Sequence, residues 1–250
     1  MVEVLDGRLE EEHLHRLTAL GGSGWKTGVG ASRPAGLQYL NEPQPRQPSA
    51  ERPLLNVACT AVTEDINGPG RRFTVWVQGC ARRCPDCFNP ALQPHRPARE
   101  VSPAELAREV LEAGPLDGVT LSGGEPFEQA AELAAFLDEA RTRDGPLTAI
   151  AFTGYEHERL REGPPAHLAL LSRLDLLVDG PFRSEESASL PLRGSANQRL
   201  IPLTAAGEGL RTESLRLSCT GYQVIISEEG DVLLTGFPPQ DALRALGALR

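Results

Sequence analysis

Three cysteines lie within eight residues of this chain, and this spacing constrains the fold more than any other feature. Cys80, Cys84 and Cys87 stand close together, whereas Cys59 and Cys219 lie apart from them. Because the cysteine count is odd and three are this close, a metal or redox site is favoured over a disulfide framework. The cysteines follow a predicted strand and precede no immediate helix, so they are expected on a loop.

Three thiolates leave three interpretations open. They are one short of the four that hold an iron–sulfur cluster or a closed structural zinc site. A fourth ligand from Cys59, Cys219 or a histidine would complete a zinc site, and His95 is the histidine to test. The cysteines could also be incidental. In the third interpretation the site is open, with one metal position free to bind a substrate.

A glycine pair at the end of a predicted strand is the second feature. On its own, Gly123-Gly124 predicts only a turn. Two glycines also let the backbone approach a ligand closely, and Glu125 supplies an anion for an ammonium group. Together with Ser122, the segment reads Ser-Gly-Gly-Glu-Pro and lies about forty residues after the cysteines.

The two motifs together resemble the radical S-adenosylmethionine superfamily, in its Cys-x3-Cys-x2-Cys loop and its Gly-Gly-Glu segment. The resemblance implies that Cys80, Cys84 and Cys87 hold three irons of a [4Fe-4S] cluster, while the fourth iron chelates the amino and carboxylate groups of S-adenosylmethionine. It implies one-electron cleavage of this cofactor to a 5′-deoxyadenosyl radical, which abstracts hydrogen. Four further residues are assigned to the cofactor: Ser122, Gly123, Gly124 and Glu125.

Other segments narrow the resemblance. Residues 65–72 read Asp-Ile-Asn-Gly-Pro-Gly-Arg-Arg, residues 178–182 read Val-Asp-Gly-Pro-Phe, and residues 194–199 read Gly-Ser-Ala-Asn-Gln-Arg. With Cys-Pro-x-Cys-Phe-Asn in the cysteine segment, they are similar to the anaerobic ribonucleotide reductase activating proteins and their single-cluster relatives. The resemblance covers roughly residues 54–239. It implies a glycyl-radical enzyme as the protein substrate and reduced flavodoxin or ferredoxin as the electron donor.

Five more residues are candidate cofactor neighbours: Phe88, Asp179, Ser195, Asn197 and Arg199. The activating proteins commonly have Gly before the third cysteine and Tyr after it, whereas this chain has Asp and Phe, so Phe88 is the candidate neighbour of adenine. Asp179 ends a predicted strand at the ligand-binding edge of an open sheet; a strand-end cap is the alternative. Ser195, Asn197 and Arg199 suit the ribose diol and the carboxylate of the cofactor; a self-contained polar loop is the alternative.

The chain divides near residue 53. Residues 1–53 are predicted to be a largely irregular extension with a Pro-rich linker and one helix over 9–20; residues 54–250 are predicted to form the radical S-adenosylmethionine domain. In the second part apolar strands alternate with amphipathic helices, which is typical of an α/β protein with a parallel sheet. One helix is predicted to begin after a Ser102 cap, and another over about 156–171 is predicted to be interrupted or restarted at Pro164-Pro165. The predicted architecture is a partial, open (βα)6-type barrel of about six parallel strands. Residues 222–227 and 232–235 are predicted to form a C-terminal β-hairpin.

Composition excludes other classes of protein. The chain is 40% hydrophobic and 24% charged, and no window approaches the roughly 18 apolar residues of a membrane span. Its first residues lack the pattern of a signal peptide, so a cytoplasmic location is expected. A net charge of −9 argues against binding to nucleic acid. Two other functions stay open, namely radical chemistry on a small molecule or peptide and a non-catalytic iron–sulfur or zinc-binding module.

Overall fold

The computed structural model describes residues 2–5, 54–144, 146–226 and 232–239. The strands are β1 (Val2–Leu5), β2 (Leu55–Glu64), β3 (Arg71–Val77), β4 (Arg99–Val101), β5 (Gly118–Gly123), β6 (Thr148–Phe152), β7 (Leu176–Asp179), β8 (Ser187–Leu190), β9 (Arg193–Ser195), β10 (Arg199–Pro202), β11 (Tyr222–Ile226) and β12 (Val232–Gly236). The helices are α1 (Pro103–Glu112), α2 (Ala130–Asp144), α3 (His157–Arg161), α4 (Pro165–Leu171) and α5 (Ala205–Ser214).

The largest sheet has seven strands in the order β10-β7-β6-β5-β3-β2-β4. Strands β3, β5, β6 and β7 are parallel, while β10, β2 and β4 pair antiparallel. The predicted α/β class is confirmed, whereas the predicted number of about six parallel strands is wrong, because the described part of the sheet has four. The partial, open barrel stays a prediction. Only residues 65–70 connect β2 to β3, and a parallel crossover needs a dozen or more residues, so these two strands pair antiparallel. The segment between β7 and β10 contains no α-helix to serve as a crossover, and these strands also pair antiparallel.

Helices α1 to α4 cover one face of this sheet, whereas Leu210 of α5 packs with Ile150 and Val178 on the other. Helix α1 begins at the predicted Ser102 cap, whose side chain accepts from Glu105 N–H while the Glu105 side chain accepts from Ser102 N–H. The predicted helix near 156–171 is interrupted before Pro165, as its proline pair indicated, and becomes α3 and α4. Leu106, Leu133 and Val75 belong to one buried cluster that joins α1 and α2 to the sheet. Among the described helices, none has the length and apolarity that a membrane crossing needs.

The C-terminal hairpin covers part of the other face. Strands β11 and β12 pair antiparallel, which confirms the predicted hairpin. Leu233 packs there with Trp76 and Cys59, so Cys59 is a core residue, as an apolar-like thiol in a strand should be. Strand β1 pairs with β12 and completes a three-stranded sheet. The extension is therefore not irregular throughout, and the helix predicted over 9–20 lies outside the described residues.

The segment that precedes β3 fastens these layers together. The Asn67 amide donates to Thr235 Oγ1 at 3.0 Å, and Thr120 Oγ1 donates to the Asn67 carbonyl at 2.8 Å. Arg72 is fully buried and donates through Nε to Thr120 Oγ1 at 2.8 Å. Burial lowers the pKa of Arg72 to about 10. The contacts of Asn67 and Arg72 therefore support the amino ends of the parallel strands, at the edge of the sheet opposite the cysteines.

Candidate iron–sulfur and cofactor site

The carboxyl ends of the four parallel strands meet at one edge of the sheet, and the sequence motifs lie there. The cysteine loop, residues 79–89, follows β3, and the glycine turn, residues 122–125, ends β5. Thr153 follows β6 and Asp179 ends β7. Because open α/β sheets bind ligands at this edge, the topology gathers these motifs where a ligand can reach them all.

The three cysteines are free and partly exposed on the cysteine loop. Asn89 N–H donates to Cys87 Sγ at 3.3 Å. Burial raises the pKa of the Cys80 thiol, and a hydrogen bond from the backbone N–H of Arg82 opposes this effect. Backbone N–H groups directed at sulfur stabilise thiolates and adjust the potential of iron–sulfur clusters.

The donor set fits a cluster better than a single ion. Within the described ranges, no three His, Cys, Asp or Glu side chains are gathered as ligands of one metal ion. Cysteines of a [4Fe-4S] cluster bind different irons, so their sulfurs surround the cluster and do not converge on a point. Cys59 is buried in the core and is not available as a fourth ligand. Three thiols on one loop therefore fit three irons of a cluster.

Backbone hydrogen bonds fasten the glycine turn to the cysteine loop. Gly124 N–H donates to the Val77 carbonyl at 2.8 Å, and Glu125 N–H donates to the Gly79 carbonyl at 2.9 Å. A Cβ on Gly124 would overlap the Gly79 carbonyl oxygen and lie 2.7 Å from its carbon. Gly123 has a φ of +107°, which favours glycine. The glycine pair is thus needed for the approach of two backbones, in addition to any approach of a ligand.

Glu125 is buried beneath this turn. Its Oε1 accepts from Phe127 N–H at 3.0 Å and from Thr153 Oγ1 at 2.8 Å, and its Oε2 accepts from Gly154 N–H at 2.9 Å. Burial raises the pKa of Glu125 to about 7, and these hydrogen bonds oppose the rise. The carboxylate therefore joins the ends of β5 and β6, and Oε2 retains acceptor capacity for another donor.

A second set of contacts holds the start of the cysteine loop. Glu128 accepts from Ala81 N–H at 2.7 Å through Oε1 and lies 2.6 Å from His95 Nε2 through Oε2. His95 thus pairs with a carboxylate, and it covers Gly79. Gln129 donates to the Gln78 carbonyl at 3.1 Å. Sequence reasoning did not find Glu128 or Gln129, although both come soon after the Gly-Gly-Glu motif, beyond Pro126 and Phe127.

Aromatic packing holds the other end of the loop. The Phe88 ring lies 4.4 Å from that of Phe182 and 5.6 Å from that of Phe237, measured between centroids. It also rests against Gly194, where an added Cβ would overlap the ring. Phe88 therefore links the cysteine loop to the two other motifs near 180 and 195, and its predicted contact with adenine stays a prediction.

Two of the candidate residues, Asp179 and Arg199, contact each other directly. Arg199 Nε donates to Asp179 Oδ1 at 3.0 Å, and Arg199 also donates to Glu158 Oε2 at 2.7 Å. Asp179 Oδ2 accepts from His157 N–H at 2.8 Å, at the start of α3. The predicted roles of Asp179 and Arg199 toward the cofactor stay predictions.

The remaining candidates lie on the loop around β9. Ser195 is buried, and its Oγ accepts from Arg183 N–H at 3.2 Å. Asn197 donates to the Pro181 carbonyl at 2.8 Å, while its Oδ1 is buried without a hydrogen-bond partner among the residues described. Ser122, in β5, is paired with Trp76 of β3 and is partly exposed. Their predicted roles toward the cofactor stay predictions.

Comparison with known proteins agrees with this donor set. Residues 66–201 match the family described as 4Fe-4S single cluster domain. The chain is 35% identical over 141 residues to the anaerobic ribonucleoside-triphosphate reductase-activating protein of Vibrio cholerae, covering 53% of this chain and 88% of the relative. For the protein of the same name from Escherichia coli K12, identity is 27% over 140 residues, covering 53% and 89%.

The match spans the cysteine loop, the glycine turn and the loop around β9. The curated relatives are matched over most of their own length, whereas the matched region is about half of this chain. The chain therefore belongs to the 4Fe-4S single cluster domain family and is a relative of the anaerobic ribonucleoside-triphosphate reductase-activating proteins.

Proposed function

We propose that this protein is a radical S-adenosylmethionine enzyme that installs a glycyl radical on a partner, the anaerobic ribonucleotide reductase or a related glycyl-radical enzyme. The observation that carries the proposal is the attachment of the cysteine loop to the glycine turn through the Glu125 N–H to Gly79 carbonyl bond. It places three free thiols and a buried carboxylate at the same edge of the sheet. The names of the relatives support the choice of partner.

Cys80, Cys84 and Cys87 would hold the cluster, and the glycine turn would face the amino-acid end of the cofactor. A reduced [4Fe-4S] cluster held there would supply the one electron that cleaves S-adenosylmethionine to methionine and a 5′-deoxyadenosyl radical, which would take a hydrogen atom. Glu125 would accept hydrogen bonds from the ammonium group through its remaining acceptor capacity. Reduced flavodoxin or ferredoxin would supply the electron.

The chain's own residues prepare this edge before any ligand arrives. Glu128 and Gln129 fix the start of the cysteine loop, and Phe88 fixes its end. Because the glycine turn bonds to the same loop, displacement of either motif displaces the other. Such pre-organisation reduces the ordering cost of ligand binding.

Anaerobic reconstitution with iron and sulfide, reduction, and measurement of 5′-deoxyadenosine from S-adenosylmethionine test the chemistry. Cys84→Ala should abolish product, whereas Cys219→Ala, a matched change at a cysteine outside the loop, should retain it. A cluster that forms on the wild-type protein but gives no 5′-deoxyadenosine would contradict the proposal and favour a non-catalytic module.

A second measurement tests the partner. The reconstituted protein is mixed with the anaerobic ribonucleotide reductase of the same organism, and the glycyl radical is sought by electron paramagnetic resonance. A radical that needs S-adenosylmethionine and Cys84 is expected. Formation of 5′-deoxyadenosine without a protein radical would instead favour a small-molecule or peptide substrate.

A further inference from the structure

Arg82, in the middle of the cysteine loop, lies over the end of β6. Its Cζ atom is 4.9 Å from the centroid of the Tyr155 ring, which is a cation–π distance. Its Cδ and Nε atoms cover Gly154, where an added Cβ would lie 2.5 Å and 2.6 Å from them. Gly154 thus lets this arginine lie directly on the backbone beside Tyr155.

The guanidinium is close to the buried Glu125 carboxylate but does not pair with it. The Cβ position on Gly154 that is 2.6 Å from Arg82 Nε is also 3.5 Å from Glu125 Oε2, so both charged side chains lie beside the backbone of Gly154. Among the residues described, the Arg82 side chain makes no hydrogen bond or ion pair, and its Nε is buried without a partner. A buried polar group without a partner costs free energy that a ligand could recover.

The other candidate arginine at this edge is already engaged. Arg199 donates to Asp179 Oδ1 at 3.0 Å and to Glu158 Oε2 at 2.7 Å, so binding a ligand carboxylate would require it to give up these partners. Arg82 would give up none. An anion that arrives at this edge is therefore expected to meet Arg82 first.

We propose that Arg82 binds the carboxylate of the amino-acid end of S-adenosylmethionine, while Glu125 binds its ammonium group. This assignment rests on the proposed function. An amino acid carries both charges on neighbouring atoms, and Arg82 and Glu125 present the two opposite charges side by side. The cation–π contact with Tyr155 uses none of the guanidinium N–H donors as hydrogen bonds. These donors suit a carboxylate, which guanidinium groups bind in a bidentate manner.

The test measures binding, not turnover. Dissociation constants for S-adenosylmethionine and for decarboxylated S-adenosylmethionine are measured by anaerobic equilibrium dialysis on reconstituted wild-type protein, Arg82→Gln and Arg83→Gln. Arg83 is the matched control, because it is the next residue in the same loop and its side chain is exposed. Iron content is measured in every sample, so that loss of the cluster is detected separately.

Arg82→Gln should weaken binding of S-adenosylmethionine by about 10- to 100-fold, the range for a hydrogen bond to a charged group. It should change binding of the decarboxylated compound by less than about threefold, since that compound lacks the group that Arg82 binds. Arg83→Gln should leave both constants near the wild-type values.

Equal weakening of both ligands by Arg82→Gln, or no weakening at all, would overturn the assignment. So would a fall in iron content confined to Arg82→Gln, because it would make Arg82 a support of the loop alone. If wild-type protein with a full complement of iron does not bind S-adenosylmethionine, the proposed function itself fails. If it binds and yields 5′-deoxyadenosine while Arg82→Gln binds equally well, only the role of Arg82 fails.

Discussion

The carboxylate of Asp179 and the guanidinium of Arg199 meet in a two-pronged ion pair, with Nε 3.0 Å from Oδ1 and an Nη2 atom 2.5 Å from Oδ2. The two residues are direct partners in the antiparallel register of β7 and β10. The Asp179 side chain is fully buried, whereas that of Arg199 is 47% exposed. The pair therefore fastens an edge strand to the parallel core and neutralises a buried charge.

Arg199→Ala should lower the free energy of unfolding by about 3 kcal/mol, because it leaves the Asp179 charge buried without a cation. Arg211→Ala is the matched control, since Arg211 pairs with Glu208 on the exposed side of α5 and such pairs contribute about 1 kcal/mol or less. Urea denaturation measures both. Losses of similar, small size in the two variants would show that the buried pair contributes no more than a surface pair.

Gly124 controls the approach of the glycine turn to the cysteine loop. Gly124→Ala places a Cβ against the Gly79 carbonyl and 2.9 Å from the Leu92 carbonyl oxygen. Because both obstacles are backbone, the two segments must separate, at a cost of about 1–3 kcal/mol or more in the free energy of unfolding. Iron retained after anaerobic reconstitution should fall well below the wild-type level.

Gly209 provides the control for this change. It lies inside α5, and an added Cβ there meets nothing within 4 Å. Gly209→Ala should therefore stabilise the protein by up to about 1 kcal/mol through helix propensity, with normal iron content. Normal iron retention in Gly124→Ala would contradict the view that this contact positions the cysteines.

The sequence predicts well what depends on neighbouring residues. The three cysteines, the glycine pair and the capped start of α1 are local patterns, and each lies where its pattern indicated. The four parallel strands are buried apolar runs. Strands β4 and β10 were missed because each is short and contains charged or proline residues, so neither has the apolar run that marks a central strand.

Contacts between distant strands were not predictable in the same way. The pairing of Arg199 with Asp179 follows from the register of two antiparallel strands, which their separate sequences do not specify. Arg82 meets Tyr155 only because β5 lies between β3 and β6 in the sheet, which brings the loops after these strands together. The residue types indicated that arginine side chains could bind a carboxylate. The order of the strands decides that, among the described residues, Arg199 has ion-pair partners and Arg82 has none.

Phe88 and Phe182 should act as one unit. Their ring centroids are 4.4 Å apart, so each ring supports the position of the other. Phe88→Leu and Phe182→Leu should each destabilise the protein, and the double variant should lose about 0.5–1.5 kcal/mol less than their sum. Phe136, buried in the helical cluster, is the control partner, and Phe88→Leu with Phe136→Leu should be additive. Additivity in both pairs would mean that the two rings do not stabilise each other.

Glu125 should make the stability of the protein depend on pH. Burial raises its pKa in the folded state to about 7, above the usual value of 4.5 for a glutamate. Between these values the folded state holds the proton more tightly than the unfolded state, so the free energy of unfolding falls as pH rises from about 4.5 to 7. The contribution of this one group is on the order of 3 kcal/mol across that interval.

Urea denaturation of the iron-free protein at several pH values between 5 and 8 measures this effect. Glu125→Gln removes the titrating group, so the decline with pH should be shallower in this variant than in wild type. The slope is the informative quantity, because Gln also changes the hydrogen bonds from Phe127 and Gly154 at every pH. Glu112→Gln, at an exposed position on α1, should keep the wild-type slope. The same slope in all three proteins would mean that burial at the glycine turn does not raise the pKa of Glu125.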